Sequence, residues 1–372
     1  MRKASGMRDM MLFRKTAFAT GHLMRESSHA ARDWLRKVRR AVRNFFFTPS
    51  ISRAGNLKVP LGVLLEVVRH ASWRCRIRLF QRLFPSPSVP FPPASAEVCE
   101  FKSLANFESG YTHLAAMLGL AGKTPPPSEL EFLRSMVNRQ IQYPGTIGIS
   151  DYFFLTALVS ILAPKHVVEI GTLTGFSAAI IAAALRRQHG KDSESWVDTI
   201  DVLSKCLIDE TRPTGFEIAE SFPQLASMIR LRIPHNSTVV SELAKRDELE
   251  IVFIDADHRH PLPLLDLLRL TPYIRSRGWI VLHDIQLGTI GRKAIEAGQR
   301  LSWGAAYGAE WLFDSWPFGK ISGGNIGAVQ LPNDRSALIP FALRLMSVPF
   351  EITDHAARIA WRALYQSFAE LV

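Results

Sequence analysis

A carboxylate, two glycines and a hydroxyl residue follow one another closely after position 165. Glu169 ends a short apolar run, Gly171 and Gly175 come next, and Ser177 opens a stretch of small and apolar residues. A carboxylate at the end of a strand can hold a cationic or polyhydroxyl ligand, and glycines let that ligand approach the backbone. The spacing E-x-G-x-x-x-G differs from the G-x-G-x-x-G of pyrophosphate binders and puts an acid where a phosphate would be repelled. It therefore argues against a nicotinamide dinucleotide.

Further polar residues stand at the ends of later β-rich runs. Asp201 follows the second run, where the ribose diol of a ligand is normally held in an α/β crevice. The third, fourth and fifth runs end, in chain order, at His235-Asn236-Ser237, at Asp255-Ala256-Asp257-His258 and at His283-Asp284. The first of these groups, His235-Asn236-Ser237, is suited to hydrogen bonding with the edge of an adenine. Because ligands bind outside the carboxyl ends of parallel strands, the sequence predicts a ligand site where these residues meet.

A parallel sheet is needed to bring these residues together, and the sequence predicts one. Short β-rich runs at 167–170, 196–200, 229–233, 251–255 and 279–283 alternate with helical stretches. Such alternation is typical of βαβ units. Residues 310–316 and 325–331 flank a glycine-rich turn and are predicted to pair antiparallel. The predicted fold class is α/β, a Rossmann-like seven-stranded mostly parallel sheet with an antiparallel C-terminal hairpin, preceded by a basic helical extension.

Composition divides the chain into five segments. Residues 1–84 form a basic, partly helical extension, and residues 85–97 form a linker whose prolines exclude a helix or a central strand. A helical preamble at 98–150 leads into the main domain at 151–334, and a helical tail occupies 335–372. In the tail the residues on or near one helical face are Ile359, Trp361, Leu364, Tyr365 and Phe368. We expect this helix to dock on the body, with a dimer contact or an acceptor lid as alternatives.

The positive charge of the chain is confined to its first quarter. Residues 1–94 hold 19 basic and 4 acidic residues, whereas residues 95–372 hold 26 and 30. Residues 30–47 combine an apolar stripe with surrounding arginines and a lysine, a pattern that favours peripheral contact with an anionic membrane. The alternatives are a solvated helix, an extension upstream of the true start and an organelle transit segment. Specific nucleic-acid binding is not predicted, because the attracting field belongs to one arm.

Cysteine usage and hydropathy give an expected compartment. Cys75, Cys99 and Cys206 are too few and too scattered for a disulfide framework or a thiolate metal site. No apolar run reaches the ~20 residues of a membrane-spanning helix, and the N-terminus does not resemble a secretory signal. We therefore expect a cytoplasmic protein, with membrane association through residues 30–47 as the open question.

The ordered motifs resemble one family. EIGTLTGFSA, VDTID, HNS, FIDADH, RSRGWIVLHD and a closing hairpin occur in this order. Together they are similar to the class I S-adenosylmethionine-dependent methyltransferases, and most similar to the bacterial small-molecule O-methyltransferases near the catechol and caffeoyl-CoA enzymes. The resemblance spans Gly148 to Pro332. It implies S-adenosyl-L-methionine as cofactor and O-methylation of a small-molecule or glycoside acceptor.

The resemblance also implies roles for individual residues. The residues that would line the cofactor are Glu169, Gly171, Thr172, Gly175, Ser177 and Asp255, with Asp201 on the ribose hydroxyls and Asn236 and Ser237 beside the adenine. Asp255 and Asp284 match acids that coordinate a divalent cation in metal-dependent members, so Mg²⁺ is a candidate ligand. The sequence departs from those members at Ile285, where they have an asparagine ligand, and at His258, where they often have a lysine base.

Methyl transfer requires alignment of donor and acceptor and removal of the acceptor proton. His258 and His283 are the predicted catalytic residues, because the ordinary pKa of histidine, ~6.5, leaves an imidazole largely basic at cellular pH. A cation on Asp255 and Asp284 would instead lower the pKa of the acceptor. Both histidines have a structural alternative in hydrogen bonding. Asp257 is expected to pair with Arg259 or Arg292 or to cap the following helix.

Two other functions compete with methyl transfer. Asp255-x-Asp257 could be the metal motif of a nucleotide-sugar glycosyltransferase, although that leaves the glycine turn unexplained. A non-catalytic, membrane-tethered scaffold would keep the fold without turnover.

Trp303, Tyr307 and Trp311 have helical spacing and could line an acceptor pocket or belong to the core.

Overall fold

The computed structural model describes residues 95–137, 143, 146–190, 193–299 and 306–369. The predicted extension at 1–84, its basic helix at 30–47 and most of the linker lie outside the described residues, as does Trp303. The five-segment division, the alternative of a homodimer contact and the membrane contact stay predictions.

The strands follow the predicted β-rich runs closely. In chain order they are β1 (Glu97–Val98), β2 (His166–Ile170), β3 (Trp196–Ile200), β4 (Lys205–Cys206), β5 (Asp209–Pro213), β6 (Ile229–Arg232), β7 (Leu249–Ile254), β8 (Ile274–His283), β9 (Lys320–Ser322) and β10 (Ile326–Gln330). The runs are short and rich in β-branched residues. β2 is buried along its whole length, as expected for a strand covered on both faces.

The main sheet has the order β1-β9-β10-β8-β7-β2-β3-β6. Strands β8, β7, β2, β3 and β6 pair parallel, and β10 runs antiparallel between β8 and β9. The predicted α/β, mostly parallel sheet with an antiparallel end is therefore confirmed. It has one addition, because β1 joins the edge parallel to β9 and makes an eighth strand. β4 and β5 form a separate hairpin.

Helices connect and cover the strands. They are α1 (Phe107–Met117), α2 (Pro127–Val137), α3 (Ile149–Leu162), α4 (Phe176–His189), α5 (Phe216–Glu220), α6 (Val240–Leu243), α7 (Leu262–Leu270), α8 (Leu287–Glu296), α9 (Gly308–Ser315), α10 (Ile339–Met346) and α11 (Asp354–Ala369). The apolar α3 packs on the alanine-rich α4. Within the described part of the chain, no helix is both long and apolar enough to cross a membrane.

The prediction of a strand at 310–316 is wrong, because these residues lie mostly in α9. Ala309, Leu312, Phe313 and Trp316 are buried, and their spacing of three and four residues is that of one helical face. The hairpin is formed by β9 and β10 instead. A short apolar run cannot by itself distinguish a strand from a buried helix.

The tail forms the helix that the sequence predicts and packs against α7. Trp361, Leu364 and Phe368 are buried, whereas Ile359 is 59% exposed. Ile359 therefore does not share the docking face to which the sequence pattern assigned it.

Candidate active site at the strand ends

The predicted functional residues lie at the carboxyl ends of neighbouring parallel strands. β2 lies between β3 and β7, and β7 lies between β2 and β8. The ends of these strands lead directly into Gly171, Asp201, Asp255 and Asp284. The structure thus places the glycine turn in the middle, Asp201 on one side and two acidic strand ends on the other.

The backbone of Gly171 lies closer to the backbone of Asp255 than a residue with a side chain could lie. Its φ is +100°, and a Cβ atom there would lie 2.1 Å from the carbonyl oxygen of Asp255. The amide of Gly171 donates to the carbonyl of Ile200, and the amide of Asp255 donates to that of Ile170, both at 2.8 Å. The turn is therefore pressed against the end of β7, which requires glycine.

Asp201 fixes the shape of this turn. One carboxylate oxygen accepts hydrogen bonds from the amides of Thr172 (3.0 Å) and Leu173 (3.3 Å), and the other accepts from the amide of Leu203 (2.9 Å). An ionised carboxylate has about four acceptor positions. Asp201 can therefore hold the turn and still accept a hydrogen bond from a ligand.

Glu169 is a buried acid whose carboxylate oxygens make no hydrogen bond of normal geometry to the described residues, although the hydroxyls of Ser177 and Thr199 lie near it. Burial raises its pKa to about 8, and the charges of Asp255 and Asp201 act in the same direction, against the nearby hydroxyls of Ser177 and Thr199. Leaving a carboxylate unsatisfied in the interior costs free energy. A cationic group of a ligand would remove that cost.

The predicted adenine residues have partners within the protein. The side-chain oxygen of Asn236 accepts hydrogen bonds from the amide (3.0 Å) and the hydroxyl (2.7 Å) of Thr238. Asn236 thereby caps a short helical turn. Ser237 is fully buried, donates to Asp266 at 2.5 Å and accepts from Arg269 at 3.1 Å. These contacts are structural, and contact with an adenine stays a prediction for both residues.

Beyond β7 and β8 the structure assembles a polar group that we call the strand-end cluster. Its members are Asp151, Asp255, His258, His283, Asp284 and Asn325. The Nδ1 atom of His283 lies 2.9 Å from Asp255, and its Nε2 atom lies 3.3 Å from Asp151. The Nε2 atom of His258 lies 3.2 Å from Asp284 and 3.6 Å from Asp255. Asp284 also accepts a hydrogen bond from the side-chain amide of Asn325 at 2.6 Å.

The two histidines of the cluster differ in environment. His283 is buried, and burial alone would lower its pKa, but Asp255, Asp151 and Asp284 together raise the pKa well above its ordinary value. Both ring nitrogens of His283 already face carboxylates. The side chain of His258 is 19% exposed, so His258 is the cluster histidine nearer to solvent. The catalytic role of either histidine stays a prediction.

Sequence reasoning missed Asp151 and Asn325. Asp151 is 8% exposed at the start of the apolar helix α3, and an acid in such a helix is a signal that could have been used. Asn325 lies next to the positive-φ Gly324 in the β9–β10 turn, where asparagine is common for local reasons. Nothing local distinguishes it as a site residue.

The structural alternatives fit several neighbouring residues. Asp257 forms an ion pair with Arg259, which lowers the pKa of Asp257 against the effect of burial. His260 is buried, and burial lowers its pKa to about 3. Tyr307 and Trp311 stack on each other with ring centroids 5.2 Å apart. Ile285 is buried and offers no ligand atom.

The sheet order defines a Rossmann-like α/β protein, and its polar strand ends lie where such sheets bind ligands. Residues 168–285, which contain the glycine turn and the end of β8, match the model of a family described as a methyltransferase domain. This match, over about a third of the chain, agrees with the resemblance of its motifs to methyltransferases.

Several solved structures are similar to this chain at low identity. An O-methyltransferase from Bacillus cereus in complex with S-adenosylhomocysteine is 18% identical, with 61% of this chain and 100% of that chain covered and a TM-score of 0.35. The O-methyltransferase from Streptomyces achromogenes involved in tomaymycin synthesis, in complex with S-adenosylmethionine, is 14% identical over 62% and 100%, with a TM-score of 0.35. A methyltransferase from Geobacter sulfurreducens is 16% identical over 59% and 96%, also with a TM-score of 0.35. No curated protein matches the chain.

Proposed function

We propose that this protein transfers a methyl group from S-adenosyl-L-methionine to an oxygen atom of a small-molecule acceptor. The observation that carries the proposal is Glu169, a fully buried acid that makes no hydrogen bond of normal geometry in the described structure and stands beside the close-packed glycine turn. A cationic ligand that bears a polyhydroxyl ribose fits an unsatisfied carboxylate next to Asp201. The methyltransferase-domain match supports the same cofactor class.

In this proposal the residues mainly bind and orient. When bound, S-adenosylmethionine supplies an electrophilic methyl group on a sulfonium. Glu169 holds the positive end of the cofactor, Gly171 lets it approach the backbone, and Asp201 accepts hydrogen bonds from the ribose. The strand-end cluster lies on the adjoining strand ends, where the acceptor hydroxyl would lose its proton. Alignment of this kind accounts for much of the rate of an in-line displacement.

The glycosyltransferase alternative receives no support from the site geometry. Its D-x-D motif needs Asp255 and Asp257 on one metal ion. Asp257 is instead engaged by the amide and the guanidinium of Arg259. We therefore keep methyl transfer as the proposed function.

Calorimetric titration of the full chain with S-adenosylhomocysteine tests the proposal. We expect stoichiometric binding, weakened in Asp201→Asn by about 10- to 100-fold, because a hydrogen bond to a charged group contributes about 1.5–3 kcal/mol. Glu210→Gln, an exposed change in the neighbouring β4–β5 hairpin, is the matched control and should bind as the wild type does. Absence of binding by the folded wild-type chain would contradict the proposal and favour the scaffold alternative.

A further inference from the structure

Thr199 is a fully buried polar residue outside the set of site residues that the sequence predicts. It lies on β3, where it is paired directly with Glu169 of the neighbouring parallel strand β2. Directly paired residues of neighbouring strands point to the same face of a sheet, about 5 Å apart. The hydroxyl of Thr199 and the carboxyl of Glu169 therefore share one face, close to the carboxyl end of β2.

The hydroxyl of Thr199 also reaches the glycine turn. It is hydrogen-bonded to the hydroxyl of Thr172 at 2.6 Å, and both side chains are buried. Thr172 directly follows Gly171, and its amide donates to the carboxylate of Asp201 at 3.0 Å. The same residue of the turn is therefore held at its amide by Asp201 and at its side chain by Thr199.

The carboxyl of Glu169 lies near two hydroxyls, that of Thr199 and that of Ser177 at the start of α4. Its own oxygens make no hydrogen bond of normal geometry to the described residues. On the other side of β2 the directly paired residue is Phe253 of β7, which offers no hydrogen-bonding side chain. Thr172, Thr199 and Glu169 thus follow one another from the turn into the sheet, and we call them the buried polar row.

The charges near Glu169 oppose its ionisation. The carboxylates of Asp201 and Asp255, which follow β3 and β7, act in that direction. The hydroxyls of Ser177 and Thr199 act in the other direction, because a hydroxyl that donates to a carboxylate stabilises its charged form. Thr199 is therefore placed to stabilise an ionised Glu169.

The direction of the hydrogen bonds in the buried polar row depends on the charge of Glu169. A threonine hydroxyl has one proton to donate and can also accept. An ionised Glu169 can only accept, so that Thr199 donates to Glu169 and Thr172 donates to Thr199. A neutral Glu169 can donate to Thr199, which then donates to Thr172. The proton of Glu169 therefore sets the hydrogen bond that Thr172 makes in the glycine turn.

We propose that Thr199 is a positioning residue of the cofactor site, which links the buried acid Glu169 to the turn residue Thr172 through its hydroxyl. This inference rests on the proposed function, in which Glu169 holds the positive end of the cofactor. On binding, the carboxyl proton of Glu169 leaves to solvent, Thr199 donates to the carboxylate and Thr172 donates to Thr199. Capture of a positive charge and the arrangement of the turn are thereby coupled.

Substitutions at position 199 separate the hydroxyl from the packing of the side chain. Thr199→Val removes the hydroxyl and keeps the branched shape, Thr199→Ala removes it and leaves a small cavity, and Thr199→Ser keeps it. Thr271→Val is the matched control, because Thr271 is also fully buried and its hydroxyl donates to the carbonyl of Leu267 at 2.7 Å, at the C-terminal end of α7. Circular dichroism establishes that each full-length variant folds.

Two measurements are made on each variant. The first needs no ligand: the ¹³C-labelled carboxyl carbons of glutamate are followed by NMR as pH is varied, and Glu169→Gln identifies the resonance of Glu169. We expect Thr199→Val and Thr199→Ala to move the midpoint of this titration upward by about one to two pH units, the equivalent of one hydrogen bond to a charged group. The second is calorimetry with S-adenosylhomocysteine at pH 8.5, where both variants should bind roughly 3- to 25-fold more weakly. Thr199→Ser and Thr271→Val should match the wild type in both measurements.

The proposal is overturned if Glu169 titrates at the same pH with and without the hydroxyl of Thr199, or if Thr271→Val or Thr199→Ser moves the midpoint as far as Thr199→Val does. The two measurements also separate this inference from the proposed function. Binding of S-adenosylhomocysteine with an unchanged titration of Glu169 would refute only the role of Thr199. A shifted titration in a folded chain that does not bind S-adenosylhomocysteine would refute the proposed function and leave the hydrogen bonds of the buried polar row in place.

Discussion

At the scale of single residues, ionisation of Glu169 couples the candidate site to pH. The pKa of this carboxyl is about 8, chiefly because of burial, so much of the free protein carries a neutral Glu169 at pH 7. A cationic ligand favours the ionised form. Binding of such a ligand therefore releases a proton and becomes tighter as pH rises through the pKa.

S-adenosylhomocysteine lacks the sulfonium charge but keeps a positive ammonium group on its amino-acid part. We expect its affinity to rise roughly five- to tenfold between about pH 7 and pH 8.5, as linkage to one group with this pKa predicts. Glu169→Gln should bind more weakly at pH 8.5 and lose this part of the pH dependence. Calorimetry in buffers of different ionisation enthalpy would also detect the released proton. If the wild type and the variant share one pH profile, another group carries the dependence.

His283 and Ser237 show how residues with a predicted chemical role acquire structural partners. Each is buried and bonded to charged side chains from other elements. A buried polar group needs such partners whatever its function. A residue with unused hydrogen-bonding capacity, such as Glu169, remains available to bind a ligand.

At the scale of elements, the β2–α4 turn depends on the absence of one side chain. Gly171→Ala should place a methyl group against the Asp255 carbonyl and destabilise the chain by about 3 kcal/mol or more, through backbone strain and overpacking combined. Gly324 has a similar φ of +105°, but a Cβ atom added there would meet no atom within 4 Å. Gly324→Ala is therefore the matched control, with an expected cost of about 1–2 kcal/mol from strain alone.

Urea denaturation of both glycine variants measures this difference. Equal losses of unfolding free energy would show that backbone strain, and not the approach of β7, makes glycine necessary at position 171. A stable Gly171→Ala variant that binds S-adenosylhomocysteine normally would also contradict the proposed role of the turn.

The tail helix α11 should contribute strongly to stability through one face. Trp361 is 1% exposed and its ring lies 6.1 Å from that of Phe350, so Trp361→Ala should cost about 3–5 kcal/mol. Ile359 is mostly exposed on the same helix, and Ile359→Ala should change stability by less than about 0.5 kcal/mol. Thermal and urea unfolding of the two variants test the docking face. A large loss in Ile359→Ala would indicate that this face is covered, for example in a dimer.

At the scale of the whole molecule, charge separates the basic first quarter from the slightly acidic remainder. If residues 30–47 contact a membrane, the full chain should sediment with vesicles that contain phosphatidylserine and be released by salt. Each basic residue near the surface contributes about 1 kcal/mol. Replacement of Arg36, Lys37, Arg39 and Arg40 by glutamine should therefore abolish sedimentation. Neutral vesicles are the control, and binding unchanged by the four substitutions would refute the membrane contact.

Much of the sheet was predictable from the amino-acid pattern alone. Alternating β-rich and helical runs predicted the parallel sheet. Glu169, Gly171, Asp201, Asp255 and Asp284 stand at strand ends, which places them at one edge in any such sheet. The prediction of the sheet was confirmed because it depends on local periodicity, and the strand-end position of these residues follows from a general property of parallel sheets. Their role in a functional site stays a prediction.

Which side chains meet, and which polar atoms remain free to bind a ligand, became visible in the folded chain. Asp151 reaches His283 across 132 residues of sequence, and Asn325 reaches Asp284 across 41. The helix at Gly308–Ser315 and the edge strand Glu97–Val98 were likewise missed. Burial and pairing of these segments depend on neighbours that are distant in the chain, and no local pattern encodes those neighbours.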